Sequence, residues 1–127
     1  EIPARKAMKQ LLHAHPRIDG VWTANDVMAF GALTALQEAG RTATVVGING
    51  LPAAIGYIER GIMLASVDFS AFNIAAVATQ AVLRHLAGQP VPSEIMVPAE
   101  LIDRSNCHRW KVPFAQRACA TWDEIVR

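Results

Sequence analysis

Short polar side chains follow the apolar segments of this chain, and they are its best candidates for ligand chemistry. They are Asn25 and Asp26 after the first predicted strand, Asn49 after the second and Asp68 after the third. Amides and carboxylates each make two hydrogen bonds in a fixed geometry, which suits neighbouring hydroxyl groups on a sugar. Aromatic rings such as Phe69 and Trp22 can pack on the apolar face of a sugar ring. These residue types predict a binding site for a small polyhydroxylated ligand.

Each of these polar residues also has a purely structural interpretation. Asn25 and Asp26 can cap the helix that follows them, and Asp68 can cap the longest helix of the chain. Asn49 can serve as a turn residue before Gly50. The convergence of three polar strand ends is more informative than any single residue, and at this point both interpretations stay open.

Strands and helices alternate along the chain. Strands are predicted over Val21–Ala24, Thr44–Ile48 and Met63–Val67, and an extended segment over Ile95–Ile102. Helices are predicted over Pro3–His15, Asp26–Ala39, Pro52–Arg60 and Ala71–Ala87. This order predicts an α/β fold with an open parallel sheet, right-handed crossovers and helices on both faces. Pro98 limits the last segment to an edge or interrupted strand. Because ligands bind beyond the carboxyl ends of such strands, we expect the polar strand ends to meet at one edge.

Composition and motifs exclude several classes of function. The 127 residues allow one ordinary domain, and a net charge of +1 argues against a dedicated nucleic-acid surface. No apolar run approaches the roughly 20 residues of a membrane-spanning helix. The sequence has no nucleophile elbow, no paired-cysteine motif and no phosphate loop. His13 and His15 fall on different helix faces, so they do not form a metal pair. We therefore expect a binding module that is not an enzyme and uses no metal or cofactor.

Four segments of the sequence resemble, in order and spacing, the ribose-type periplasmic sugar-binding proteins. The resemblance extends over roughly Lys9 to Asn106 and rests on Trp22–Leu33, Val45–Gly50, Glu59–Val67 and His85–Pro92. It implies the fold of these proteins and, specifically, the later part of their second lobe, because family members are about twice as long or longer. The chain begins at Glu1 without a leader, so either a leader was removed or the chain is a piece of something longer. The resemblance implies a piece, with an incomplete lobe over residues 1–106 and a tail over 107–127.

The resemblance also implies roles for individual residues. Asn25 occupies the position of the strand-end Asn that hydrogen-bonds the sugar in that family. Asn49 stands where the family usually has Asp, and Asp68 and Phe69 stand where it often has Gln, so the sugar or its orientation differs. The implied protein binds a monosaccharide or related small polyol between two lobes. In the periplasm, it delivers that ligand to the membrane permease of an ATP-driven (ABC) importer.

Two other classes of function stay open. Effector domains of transcription repressors of the lactose-repressor type share this fold and the Asn25–Asp26 segment. A DNA-reading helix-turn-helix upstream would decide for a repressor, whereas a signal peptide would decide for an importer component. The third class is an α/β enzyme domain, which turnover of a sugar would support.

The two cysteines, Cys107 and Cys119, permit one disulfide. It would close a loop of about 13 residues and stabilise the chain by roughly 3 kcal/mol in the chain-entropy description. Two free thiols in the tail are the alternative. The periplasmic location implied by the resemblance favours the bridge.

The incomplete lobe predicts self-association. A sheet that lacks its first strands exposes an edge and apolar helix faces, and such surfaces pair with other chains. We expect a homodimer, or a swap of helix and strand between copies, formed through the long helix Phe72–Ala87. Phe72, Val77 and Val82 are expected to be buried against a second copy.

Overall fold

The computed structural model describes residues 1–113, 116–117 and 119–126. Its helices are α1 (Ile2–Ala14), α2 (Asp26–Glu38), α3 (Pro52–Glu59), α4 (Ala71–Leu86) and α5 (Trp122–Ile125). Its strands are β1 (Gly20–Trp22), β2 (Thr44–Ile48), β3 (Ala65–Asp68) and β4 (Glu100–Asp103), and a 3-10 helix covers Cys107–Trp110. The predicted alternation of helices and strands is confirmed from α1 to β4.

The strands form an open sheet in the order β1, β2, β3, β4. β1 pairs with β2 and β2 pairs with β3, both in parallel, with Val21 opposite Val45 and Gly47 opposite Ser66. The predicted α/β architecture with parallel neighbours is therefore confirmed for β1 to β3. Because these three strands are parallel, their carboxyl ends lie at one edge of the sheet.

Two strands begin at other residues than predicted, and backbone hydrogen bonding gives the reason. β3 begins at Ala65 instead of Met63, because the backbone N–H groups of Ile62 and Met63 donate to the Tyr57 carbonyl at the end of α3. The ladder to β2 starts with the Leu64 N–H, which donates to Val45 O (2.9 Å). In the predicted extended segment Ile95–Ile102, regular pairing is confined to β4, which begins two residues after Pro98. Proline has no N–H to donate to a ladder.

Two compact units make up the described chain. The first contains Glu1–Asp68 and Leu101–Lys111, and its core joins α1, α2, α3, β2 and the 3-10 helix. The sequence prediction divided the chain once, after Asn106. The structure instead places Cys107 and Trp110 in the core of the first unit, where both are buried. This burial is the physical reason that residues 107–111 belong to the first unit.

In the first unit, one face of β2 lies against the core. Val45 and Gly47 point toward this side, where Val45 packs in the core and Gly47 lies against Asp26 at the start of α2. Trp22 neighbours the core-facing Val21 on β1, so its side chain points to the opposite face. Trp22 is 77% exposed.

The second unit contains Phe69–Glu100 and the described part of 112–127. Its main element is α4, whose buried residue is Val77. The large apolar side chains of α4 that remain exposed are Phe72, Ile74, Val82, Leu83 and Leu86. The short α5 packs on α4, where the Arg84 guanidinium lies 4.5 Å from the centre of the Trp122 ring. In the described part of the chain, no helix has the length and apolar character needed to cross a membrane.

Candidate functional site

The candidate site is the edge of the sheet where β1, β2 and β3 end. Asn25 follows β1 by three residues, Asn49 follows β2 directly, and Asp68 is the last residue of β3. The Asn49 N–H donates to Val67 O (2.8 Å), which ties the end of β2 to the end of β3. The structure therefore brings the three predicted strand ends to one edge, as parallel pairing requires.

Asn25 caps helix α2. Its Oδ1 accepts a hydrogen bond from the Met28 N–H (2.9 Å), and its backbone is extended, as is usual for the residue before a helix. The structural interpretation of Asn25 therefore holds, but it occupies only the oxygen of the side chain. The Nδ2 group makes no hydrogen bond within the described part of the chain, and it remains able to donate to a ligand.

Asp26 lies inside the protein instead of at the site's surface, and this corrects its assignment as a ligand-binding residue. It is fully buried. Its Oδ1 accepts from Ser66 Oγ (2.7 Å) and its Oδ2 accepts from the Leu51 N–H (2.8 Å). Burial raises the pKa of the Asp26 carboxyl, and hydrogen bonds from Ser66 and the loop amides offset part of that rise. Both oxygens are committed to the protein, so Asp26 cannot contact a ligand.

Asn49 keeps both polar atoms of its side chain available within the described residues. It is half-buried, and its side chain makes no hydrogen bond within the described residues. Its φ angle is 122°, a left-handed conformation that most side chains avoid and that Asn tolerates better than others. Such conformations persist only where neighbouring structure enforces them, and they cluster at functional sites. Asn49 therefore presents both a donor and an acceptor at the sheet edge.

Asp68 is partly committed to a structural contact. Its Oδ2 accepts a hydrogen bond from Trp110 Nε1 (2.8 Å) in the 3-10 helix. Helix α4 begins after Ser70, so Asp68 does not occupy the N-cap position that the structural interpretation gave it. The contact with Trp110 joins the end of β3 to the segment after β4 within the first unit. We therefore assign Asp68 to holding this segment in place.

The aromatic candidates differ in exposure. Phe69 begins the second unit and is 40% exposed, whereas Trp22 is 77% exposed on β1. Both rings are accessible, and stacking of either ring on a sugar stays a prediction.

Two residues of this edge were missed by sequence reasoning. Ser66 and Trp110 are buried partners of Asp26 and Asp68. A serine inside an otherwise apolar strand is a signal for Ser66, because a buried hydroxyl needs a hydrogen-bond partner. Trp110 lies in a segment without periodicity, and it carries no comparable signal.

The predicted disulfide is absent from the structure, in which both cysteines are free. Cys107 is buried in the core of the first unit, and its thiol donates to the Arg104 carbonyl (3.8 Å), whereas Cys119 is exposed. The expectation that both thiols lie in the tail is therefore wrong for Cys107, which lies in the core of the first unit. Among the residues that the structure describes, no cluster of three or more metal-ligating side chains occurs.

Comparisons with known proteins agree with this geometry. A family model described as periplasmic binding protein domain matches residues 2–90. The ribose import binding protein RbsB of Escherichia coli (strain K12) is 33% identical over 102 residues, which is 80% of this chain and 34% of that protein. A ribose operon repressor of Halalkalibacterium halodurans is 27% identical over 108 residues, or 81% of this chain and 32% of the repressor.

Solved structures share the fold as well. An ABC transporter periplasmic solute binding protein from Actinobacillus succinogenes 130z, solved with bound D-allose, superimposes with a TM-score of 0.79 at 32% identity. The match covers 84% of this chain and 38% of that one. The chain spans about a third of the length of the curated relatives it matches.

Proposed function

The chain belongs to the periplasmic binding protein domain family, and on that premise we propose that it is part of a protein that binds a monosaccharide or related small polyol. The family is one of ribose-binding-protein-like periplasmic binding proteins. RbsB of Escherichia coli and the Actinobacillus succinogenes neighbour are named as binding proteins, so we propose a binding function without turnover.

One observation carries the proposal: two side-chain amides stand open at adjacent strand ends. Asn25 offers Nδ2 beyond β1, and Asn49 offers both amide atoms beyond β2. Adjacent parallel strands lie about 5 Å apart. At this spacing the two amides reach different hydroxyl groups of one sugar better than a single hydroxyl. Since neither amide carries a net charge, these two groups suit a neutral polyhydroxylated ligand.

Of the other predicted ligand contacts, one is proposed and one is not. Phe69 is proposed as an apolar contact for the sugar ring, because it follows directly on the strand that ends at the site. Asp26 is not proposed as a contact, since both of its oxygens are used inside the protein. The remaining contacts would come from a second lobe that closes over the ligand.

We place this binding function in an importer. The importer component would sit in the periplasm and deliver its ligand to the membrane permease of an ABC transporter. This proposal is supported by the relatives that carry import and transport in their names.

The second candidate function is an effector-binding domain of a repressor. It is favoured by the similarity to a ribose operon repressor over 81% of this chain. Sequencing the coding region upstream of Glu1 separates the two candidates. A secretion leader supports the importer component, whereas a helix-turn-helix supports the repressor, and both would use the same sugar-binding edge.

The binding function is tested by NMR titration of the full 127-residue chain with D-ribose and D-allose. We expect saturable shifts of the Asn25 and Asn49 side-chain amides with millimolar affinity, because a single lobe leaves much of the sugar in water. The amide of Gln37, exposed at the far end of α2, is the internal control and should not move. Equal shifts at Gln37, or no shift at Asn25 and Asn49 for any sugar tried, would contradict the proposal. Micromolar affinity would contradict the need for a second lobe.

A further inference from the structure

We infer that Asp26 and Ser66 are positioning residues, which hold the backbone after β2 so that Asn49 presents its side chain at the sheet edge. The inference rests on the proposed sugar-binding function for its biological meaning. The positioning itself can be measured without any ligand.

Three consecutive backbone N–H groups of this loop have acceptors on other elements. The Asn49 N–H donates to Val67 O of β3 (2.8 Å) and the Gly50 N–H donates to Ser66 Oγ (3.1 Å). The Leu51 N–H donates to Asp26 Oδ2 at the start of α2 (2.8 Å). The loop is therefore held by β3 on one side and by α2 on the other.

Asp26 and Ser66 act as one unit. Ser66 Oγ donates to Asp26 Oδ1 (2.7 Å) while it accepts from the Gly50 N–H. Both side chains are fully buried, so water cannot replace either contact. Loss of the Ser66 hydroxyl would therefore remove the acceptor of Gly50 and one donor to Asp26 at the same time.

The side chain of Asn49 depends on this backbone for its direction. It makes no hydrogen bond of its own within the described residues, and its φ angle of 122° is unfavourable for a residue with a side chain. The neighbouring Gly50 also has a positive φ, of 61°. When its flanking amides are released, a strained residue relaxes toward commoner conformations and its side chain turns away.

Close packing around the loop leaves it little freedom while these contacts stand. A Cβ at Gly50 would lie 2.8 Å from Ile102 Cδ1, and a Cβ at Gly47 would collide with Asp26 Oδ1. Because Gly47 has no side chain, Asp26 has room to reach the Leu51 N–H. The arrangement is thus specific to this set of side chains.

A merely structural role predicts that Ser66 substitutions lower stability and nothing more. A positioning role predicts, in addition, a local change at Asn49 that other destabilising substitutions do not cause. Leu36→Ala is the matched control, because Leu36 is 3% exposed in the core and lies almost three helical turns along α2 from Asp26. Ser66→Thr keeps the hydroxyl and serves as the conservative variant.

The experiment uses the isotope-labelled full chain in four forms: wild type, Ser66→Ala, Ser66→Thr and Leu36→Ala. Hydrogen exchange of the Gly50 and Leu51 amides is measured together with the side-chain amide shifts of Asn49, first alone and then with D-ribose. In Ser66→Ala we expect faster exchange at Gly50, displaced Asn49 signals and an affinity lower by about three- to tenfold, the loss expected for one hydrogen bond. We expect Ser66→Thr and Leu36→Ala to retain the wild-type Asn49 signals.

Unchanged Gly50 exchange and Asn49 signals in Ser66→Ala would overturn the inference, as would equal displacement in Leu36→Ala. If Ser66→Ala does not fold, Asp26→Ala gives the same readout at Leu51, because it removes the oxygen that accepts the Leu51 N–H. Absence of any response of the wild type to sugars would count against the proposed function, whereas the measurements without ligand would still decide the positioning.

Discussion

At the residue scale, Asn25 combines two tasks in one side chain. Its oxygen caps α2 and its nitrogen remains available beyond the strand. This division is chemical in origin, because an amide has an acceptor and a donor on different atoms. A carboxylate in the same place would cap the helix but could not donate to a ligand.

This division predicts different outcomes for two substitutions of Asn25. Asn25→Asp keeps the capping oxygen, so we expect near wild-type stability and weaker binding of D-ribose. Asn25→Ala loses both the capping oxygen and the donor nitrogen, and the loss of the cap should cost about 1 kcal/mol of unfolding free energy. Urea unfolding and NMR titration measure the two effects separately. If Asn25→Asp bound D-ribose as well as the wild type, the amide nitrogen would have no role in recognition.

The buried carboxyl of Asp26 makes stability depend on pH in a particular direction. Its pKa is raised by burial in the folded chain, so the folded state holds the proton more tightly than the unfolded state. The corresponding stability is present below the ordinary pKa of 3.8 and declines as the pH rises through the raised value. The lowered pKa values of exposed Glu38, Glu59 and Asp103 act in the opposite direction.

Comparison with Asp26→Asn isolates this contribution, because the other carboxyls titrate in both chains. We expect the stability of the wild type relative to Asp26→Asn to fall as the pH is raised from about 4 toward neutrality. Urea unfolding at a series of pH values measures it. A difference that rises with pH would show that hydrogen bonds outweigh burial and that the Asp26 pKa is lowered.

At the element scale, the 3-10 helix Cys107–Trp110 is fastened to the end of β3. Trp110 is 8% exposed and its Nε1 donates to Asp68 Oδ2 (2.8 Å), while Lys111 pairs with Glu59 of α3 (2.5 Å). The Trp110–Asp68 hydrogen bond stabilises the fold more than the Lys111–Glu59 ion pair does, since exposed ion pairs contribute little. The segment after β4 is thereby part of the first unit.

Replacement of Trp110 by Phe tests this fastening. The substitution keeps an aromatic ring and removes the N–H, so we expect a loss of about 1.5–3 kcal/mol, typical of a hydrogen bond to a charged group. Trp22→Phe is the matched control, since Trp22 is 77% exposed and should change stability by less than about 0.5 kcal/mol. Thermal or urea unfolding compares the two, and equal effects would deny the Asp68 contact a stabilising role.

At the scale of the whole molecule, α4 has an apolar surface that its own unit leaves uncovered. Phe72 and Val82 are 46% and 58% exposed, in keeping with the predicted homodimer, which stays a proposal. Val77 differs from that prediction, because it is 3% exposed within the chain and is not available to a partner. A substitution there would test folding instead of association.

Val82→Asp is the sharper test of association through α4. A charge placed in an apolar interface costs several kcal/mol, so we expect the variant to be monomeric at concentrations where the wild type is dimeric. Leu64→Asp is the control, because Leu64 is similarly exposed (60%) and lies outside α4. Light scattering of the wild type and the two variants measures their oligomeric states. A monomeric wild type at high concentration would rule out the homodimer.

Much of the fold, and the edge of the sheet that holds the candidate site, could be predicted from local signals in the sequence. The alternation of strands and helices, the helix-capping role of Asn25 and the meeting of polar residues at one sheet edge follow from short-range periodicity and from the geometry of parallel strands. These features involve residues close in sequence or constrained by topology alone. The order of motifs was therefore sufficient to predict the α/β fold and its site edge.

Only the tertiary structure decided which polar residues remain open to a ligand. Asp26 and Ser66 are 40 positions apart and Asp68 and Trp110 are 42 apart, and each pair meets only after the strands have assembled. A buried polar atom must find a partner when water is removed, and the identity of that partner depends on packing, which no local pattern encodes. For this reason Asn25 and Asn49 emerge as the open amides, whereas Asp26 is used inside the protein and one oxygen of half-buried Asp68 accepts from Trp110.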